Sequence, residues 1–99
     1  MRRVVDIDWD DKKSELLRRG RGLSLLEAAE LLTQERVERT KNNDPFQILA
    51  TGYAQGKLLS LIYEIREHEN GNTYYWLVTY WNATREERKT YENKIKNRR

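Results

Sequence analysis

Three runs in the second half of the chain are dense in β-branched, aromatic and aliphatic residues: Phe46–Ala54 (FQILATGYA), Lys57–Glu67 (KLLSLIYEIRE) and residues 73–81 (TYYWLVTYW). Only a few residues separate each from the next. Links that short join antiparallel neighbours, because a parallel crossover needs roughly a dozen residues or more. The chain is thereby committed to a hairpin meander. Gln55-Gly56 makes the first turn. Asn70-Gly71 makes the second, where both residues tolerate the positive φ of a two-residue hairpin. Strict alternation along the third run puts Tyr75, Leu77, Thr79 and Trp81 on one face, and Tyr74, Trp76, Val78 and Tyr80 on the other. One face packs on helices. The other either displays large aromatics, which stack unpaired bases beside Lys and Arg, or is buried in a small sandwich.

Upstream, residues 4–9 (VVDIDW) alternate apolar and acidic, the period of a half-buried strand. Asp10 or Asp11 caps a short helix that ends at Gly20 and Gly22. Ser24 and Glu27 form a capping box, opening a helix with Leu25, Ala28, Ala29 and Leu32 on one face. Residues 35–43 are polar and read as a poor edge strand or a loop, with Asn43-Asp44-Pro45 a turn. Thr84 and Glu87 form a second capping box, opening a helix to about Lys96 on which Arg88, Tyr91 and Ile95 share a face. The order is β-α-α, three or four β, then α. It predicts an α+β fold: an antiparallel sheet with two N-terminal helices packed on it and a C-terminal helix, in one domain over residues 1–99.

Composition narrows the chemistry. The 99 residues include 19 Lys plus Arg and 16 Asp plus Glu, a net charge of +3. Residues 1–50 carry ten basic and ten acidic side chains, so the excess lies in the second half, and residues 85–99 alone hold seven basic and three acidic. That stretch reads either as a solvated, self-paired helix or as a surface for nucleic acid or an acidic partner. Cysteine is absent, which excludes disulfides, thiol catalysis and cysteine-rich zinc sites. A single histidine, His68, excludes a two-histidine zinc motif and reads as a solvated loop residue. Asp6, Asp8, Asp10 and Asp11 miss the calcium-loop pattern, with Asp11 at the sharp-turn glycine and Leu17 at the bidentate glutamate. No metal or cofactor is expected. No apolar run reaches the roughly 20 residues of a membrane span, and the first residues lack a signal-peptide core, so a cytoplasmic protein is expected.

Several blocks carry a family resemblance. Trp9-Asp10-x-x-Lys13 followed by Gly22-Leu-Ser-Leu-Leu-Glu-Ala-Ala29 is similar to the "WDxxK…HGVSFEEA" opening of BrnT toxins. Phe46-Gln-Ile-Leu-Ala-Thr-Gly52 resembles that family's "RFLLIG" strand, and residues 83–92 (ATREERKTYE) its closing "ATxxERxxYE". The blocks fall in family order over residues 4–92. The sequence departs from the pattern at Arg21, where the family has histidine. It departs again at Trp76 and Trp81, where the "RIISAR" strand has arginines.

The resemblance implies a RelE-like fold and a type II toxin that cleaves RNA without metal. It also implies a small antitoxin partner that neutralises the toxin and supplies the contact to operator DNA. Cleavage through a 2′-hydroxyl needs a proton acceptor, a proton donor and cations for the developing phosphorane charge. Carried over residue by residue, the catalytic candidates are Lys13 and Arg88 on the phosphate and Tyr91 in support or proton exchange. The RNA-binding candidates are Arg21, Trp76, Trp81, Arg85 and Lys89. Tryptophan stacks a base but does not neutralise a phosphate. The two tryptophans therefore favour a second reading, a non-catalytic RNA- or protein-binding module on the same fold. A third is an assembly module whose sheet face is a dimer interface.

Overall fold

The computed structural model describes residues 6–98. In chain order the elements are β1 (Ile7–Trp9), α1 (Asp11–Arg21), α2 (Leu25–Ala28) running into a 3₁₀ turn (Ala29–Thr33), β2 (Arg36–Asn43), β3 (Phe46–Ala54), β4 (Lys57–Glu67), β5 (Thr73–Asn82) and α3 (Arg85–Asn97). The fold is α+β. The first two residues of the 4–9 strand expectation lie outside the described residues, as does Arg99.

The meander β2-β3-β4-β5 is antiparallel throughout, and the full sheet order is β1-β5-β4-β3-β2. The sheet is mixed, however, because β1 lies parallel to β5, with Ile7 opposite Tyr75 and Trp9 opposite Leu77. The expected wholly antiparallel sheet is corrected at this edge. Helices and three strands intervene between β1 and β5, so no short connection dictates their direction. The polar 36–43 stretch is the opposite edge strand, where charged residues discourage pairing with another chain.

The turns obey local chemistry with one revision. Gln55 (φ 52°) and Gly56 (φ 76°) both take left-handed backbone, as a primed two-residue hairpin requires. The β4–β5 link is longer than a two-residue turn. It runs from His68 to Asn72, whose amide and carbonyl pair at 2.8 Å, and only Gly71 there has positive φ.

A β-bulge at Val78 reshapes β5. Ile62 pairs with Thr79 and Tyr63 with Leu77, so Val78 has no partner on β4. One extra residue inverts alternation beyond it. Tyr75, Leu77 and Tyr80 consequently share one face, and Tyr74, Trp76, Thr79 and Trp81 the other. Strict alternation had divided Leu77 from Tyr80 and joined Trp81 to Leu77. Both expectations are overturned.

The face with Leu77 and Tyr80, here the α1 side, holds the main core. Leu59, Leu61 and Tyr63 of β4 meet Leu17 of α1 and Leu25, Ala28 and Leu31 of the α2 segment. The expected helix face of Leu25, Ala28, Ala29 and Leu32 shifts, because the 3₁₀ turn has three residues per turn and brings Leu31 inward at 0% exposure. Two hydroxyls tie the chain between α1 and α2. Ser14 Oγ accepts from the Leu25 amide at 2.9 Å, while Tyr80 accepts from the Leu23 amide at 3.0 Å and donates to its carbonyl at 2.7 Å. Gly22 closes α1 in the left-handed region (φ 97°), which lets the chain double back so soon.

The opposite face, the α3 side, is covered only in part. α3 lies over β2 and β3, burying Ile95 and setting Tyr91 edge-on to Tyr53 with ring centroids 5.7 Å apart. Near its end, Arg98 donates to the Arg36 carbonyl at 3.2 Å. Both capping boxes form as read.

Candidate functional site

The line of α3 that meets the sheet is Glu87, Tyr91 and Ile95, at i, i+4 and i+8. Glu87 Oε1 accepts from Ser60 Oγ at 2.7 Å, Trp81 Nε1 at 3.1 Å and the Thr84 amide at 2.9 Å. Ser60 is in turn 2.8 Å from Thr51 Oγ1. Burial alone would raise the Glu87 carboxyl, but the hydrogen bonds from Thr84, Ser60 and Trp81 hold it below its ordinary value. One carboxylate thus starts the helix, anchors it to β4 and orients an indole on β5. Beside it, a cavity of about 210 Å³ is lined by Val37, Arg39, Leu49, Thr51, Glu86, Glu87 and Thr90.

A basic end adjoins this network. Arg21, last residue of α1, donates through Nη1 to the Tyr80 carbonyl. Lys57 Nζ lies 3.8 Å from where a Cβ on Gly22 would stand. The Ala83 amide donates to the Leu58 carbonyl at 3.0 Å, which sets the start of α3 against the start of β4. Arg85 is the first residue of α3, and Arg88 and Lys89 lie one turn on. Among the described residues, no carboxylate lies within 4 Å of the Arg21, Lys57, Arg85 or Lys89 nitrogens. Arg88 is half exposed and 3.9 Å from Glu92, a loose pair in water. The sequence placed Arg88 on the face of Tyr91 and Ile95. The helix instead turns Glu87 inward there, and Arg88 stands one residue round.

The fold brings Arg21, Trp81, Arg85, Arg88, Lys89 and Tyr91 to one end of the sheet. Lys13 is not among them. It is exposed in the first turn of α1, on the other side of the sheet from α3, with its amide donating to Asp10 Oδ1 at 3.1 Å. Trp76 shares the α3 side with Trp81 only because of the bulge, and lies farther along β5.

Trp76 carries a cation of its own. The Arg66 guanidinium stacks 4.6 Å from its ring centroid and forks onto Glu64 Oε1 at 3.0 and 2.7 Å. Glu64 Oε2 accepts from Gln47 at 2.8 Å. The Gln47 hydrogen bond first, and then that of Arg66, hold the Glu64 carboxyl below its ordinary value against the opposing effect of burial. One pair farther along, His68 stacks on Tyr74 at 4.3 Å.

Sequence reasoning did not single out Lys57, Arg66 or Glu87 as site residues. The spacing Glu64-x-Arg66 opposite Trp76 was a usable signal once the pairing of β4 and β5 was known. Lys57 comes beside the end of α1, and Glu87 beside Ser60 and Trp81, only through contacts between parts of the chain distant in sequence.

Among the described residues, no group of three or more His, Asp or Glu side chains is placed to hold a metal ion. Asp10 instead caps α1, and Asp8 accepts from the Trp9 amide at 2.8 Å. No helix among the described residues is long and apolar enough to cross a membrane. No protein-family model matches the chain, and neither does any curated protein.

Proposed function

We propose that this protein binds single-stranded RNA with its α3 end and the adjoining sheet face. The observation that carries the reading is the set of cations at one end of the sheet: Arg21 and Lys57 where α1 ends, and Arg85, Arg88 and Lys89 in the first turns of α3 that follow Trp81. Four of these five cations have no carboxylate within 4 Å among the described residues. Cations held apart from acids attract phosphates, and aromatic or guanidinium planes stack splayed bases. Arg66 on Trp76 offers such a plane and returns a cation beside a position where BrnT toxins have arginine.

A second reading, RNA cleavage by a BrnT-like toxin of RelE-like fold, is favoured by Arg88 and Tyr91. They stand three residues apart on α3, where Arg88 supplies a cation to balance phosphorane charge. In this reading the active centre lies on the α3 side without Lys13. A small antitoxin would cover the basic end and alone touch operator DNA, and the pair would act in the cytoplasm.

Anisotropy with a labelled single-stranded RNA tests the binding, and the same RNA incubated with EDTA tests the cleavage. The expected results are affinity that falls steeply with salt, and cleavage lost in Arg88→Ala but kept in Lys13→Ala. Salt-independent affinity, or none, defeats the binding reading. Intact RNA with the folded protein defeats the cleavage reading alone.

A further inference from the structure

The cavity beside Glu87 is small and lined by both apolar and polar side chains. At about 210 Å³ it is below the roughly 300–1,000 Å³ of pockets that enclose drug-sized ligands, a scale suited to a single planar ring system. Val37 and Leu49, exposed by 7% and 2%, give it an apolar floor. Its polar groups are of both kinds: carboxylates from Glu86 and Glu87, and donors from Arg39 and the Thr90 hydroxyl.

Glu87 is the decisive group. Its Oε1 already takes three donors, whereas no hydrogen bond reaches Oε2 from any described residue. Since no buried side-chain oxygen among the described residues lacks a partner, Oε2 is open to solvent. The residue is therefore an ionised, fixed acceptor at the cavity wall. With the Glu86 carboxylate on the same cavity wall, the open Glu87 oxygen suits a ligand edge with two adjacent N–H donors. Guanine alone among the RNA bases has one, N1–H beside the 2-amino group. Adenine offers an amine beside an acceptor nitrogen, and uracil one N–H between two carbonyls that a carboxylate repels. The guanine O6, next on the same edge, is an acceptor for a guanidinium.

We propose that this cavity is a guanine subsite, taking a base unstacked from RNA whose phosphates lie on Arg85, Arg88 and Lys89. Those cations share the same two helical turns as Glu86, Glu87 and Thr90, so one strand crossing the start of α3 reaches both. The inference rests on the RNA-binding reading and adds base preference to it.

The test uses the intact protein and a labelled uridine octamer carrying one central guanine, inosine or adenine, followed by anisotropy. The guanine oligomer is expected to bind about tenfold more tightly than the adenine one, the effect of one good two-point base contact. Inosine, which lacks the 2-amino group, should fall between them. Glu87→Gln keeps an oxygen for the Ser60 and Trp81 bonds but replaces the second acceptor with a donor, and should abolish the guanine-to-adenine ratio. Glu86→Gln, outside the capping box, should reduce it. Equal binding of all three oligomers by the native protein overturns the subsite and leaves RNA binding standing. Binding of none overturns both.

Discussion

The two faces of the sheet are built on different terms. On the α1 side, Leu59, Leu61, Leu77 and Tyr80 close against α1 and α2, and the few polar atoms there are hydroxyls clamping the backbone. On the α3 side, one helix crosses β2 and β3, and its contact with the sheet begins in a chain of polar atoms: Thr51, Ser60, Glu87 and Trp81. Apolar burial is directionless and tolerates no exposure, so the first face carries the stability. Hydrogen-bonded groups fix geometry at small net gain, so the second can leave cations, aromatic planes and a cavity open to a ligand.

Substitutions probe this division, the largest effect first. Leu61→Ala, at 0% exposure in the α1-side core, should cost about 2–5 kcal/mol in urea unfolding. Trp76→Ala on the other face should cost much less, and equal losses would break the comparison. Next, Tyr80→Phe removes the donor and acceptor that serve both Leu23 backbone groups, a loss of about 1–3 kcal/mol for buried groups left unpaired.

On the α3 side, Thr84→Ala removes the cap of α3, costing about 0.5–2 kcal/mol. The adjoining carboxylate adds a pH signature. Because the folded protein holds Glu87 below its ordinary value of 4.5, its stabilising effect is complete above that value and is lost as pH falls through the lowered one. Glu87→Gln should therefore flatten the acid limb of a stability-against-pH curve; an unchanged limb would show that its hydrogen bonds do not favour the charged form. The smallest stability effect belongs to Arg88→Ala, within about 0.5 kcal/mol of zero for an exposed side chain. Its consequence should instead appear in RNA affinity, with the slope against log salt shallower by about one.

What was legible in the sequence follows the range of the forces involved. The capping boxes at Ser24 and Thr84, and the turn at Gln55-Gly56, are set by residues a few positions apart and were readable. The α+β class followed from turn spacing. The 3₁₀ turn that carries Leu31 inward was not readable, because the packing of a short segment overrides a helical period. Nor was the parallel pairing of β1, which depends on contact between distant parts of the chain. At the site, the charges of Arg85, Arg88 and Lys89 were plain, but their company was not. Lys13, grouped with Arg88 and Tyr91 by the resemblance, is in the first turn of α1 on the far side of the sheet. Lys57, a routine residue after a turn, stands beside the C-cap of α1.

The extra residue at Val78 makes β5 two short strands of opposite parity in one continuous backbone. Residues before it and after it obey separate in-and-out rules, so pairing the strand regularly through Val78, with no residue left over, would exchange Tyr80 for Trp81 in the interior. The tryptophan would bring a polar N–H into an apolar layer, and the phenol that holds Leu23 would turn outward. Drawing that one residue into the ladder would thus dismantle the clamp on one side and strip the indole from the other. The looped-out residue, more than any side-chain identity, keeps each surface of the sheet in its own trade.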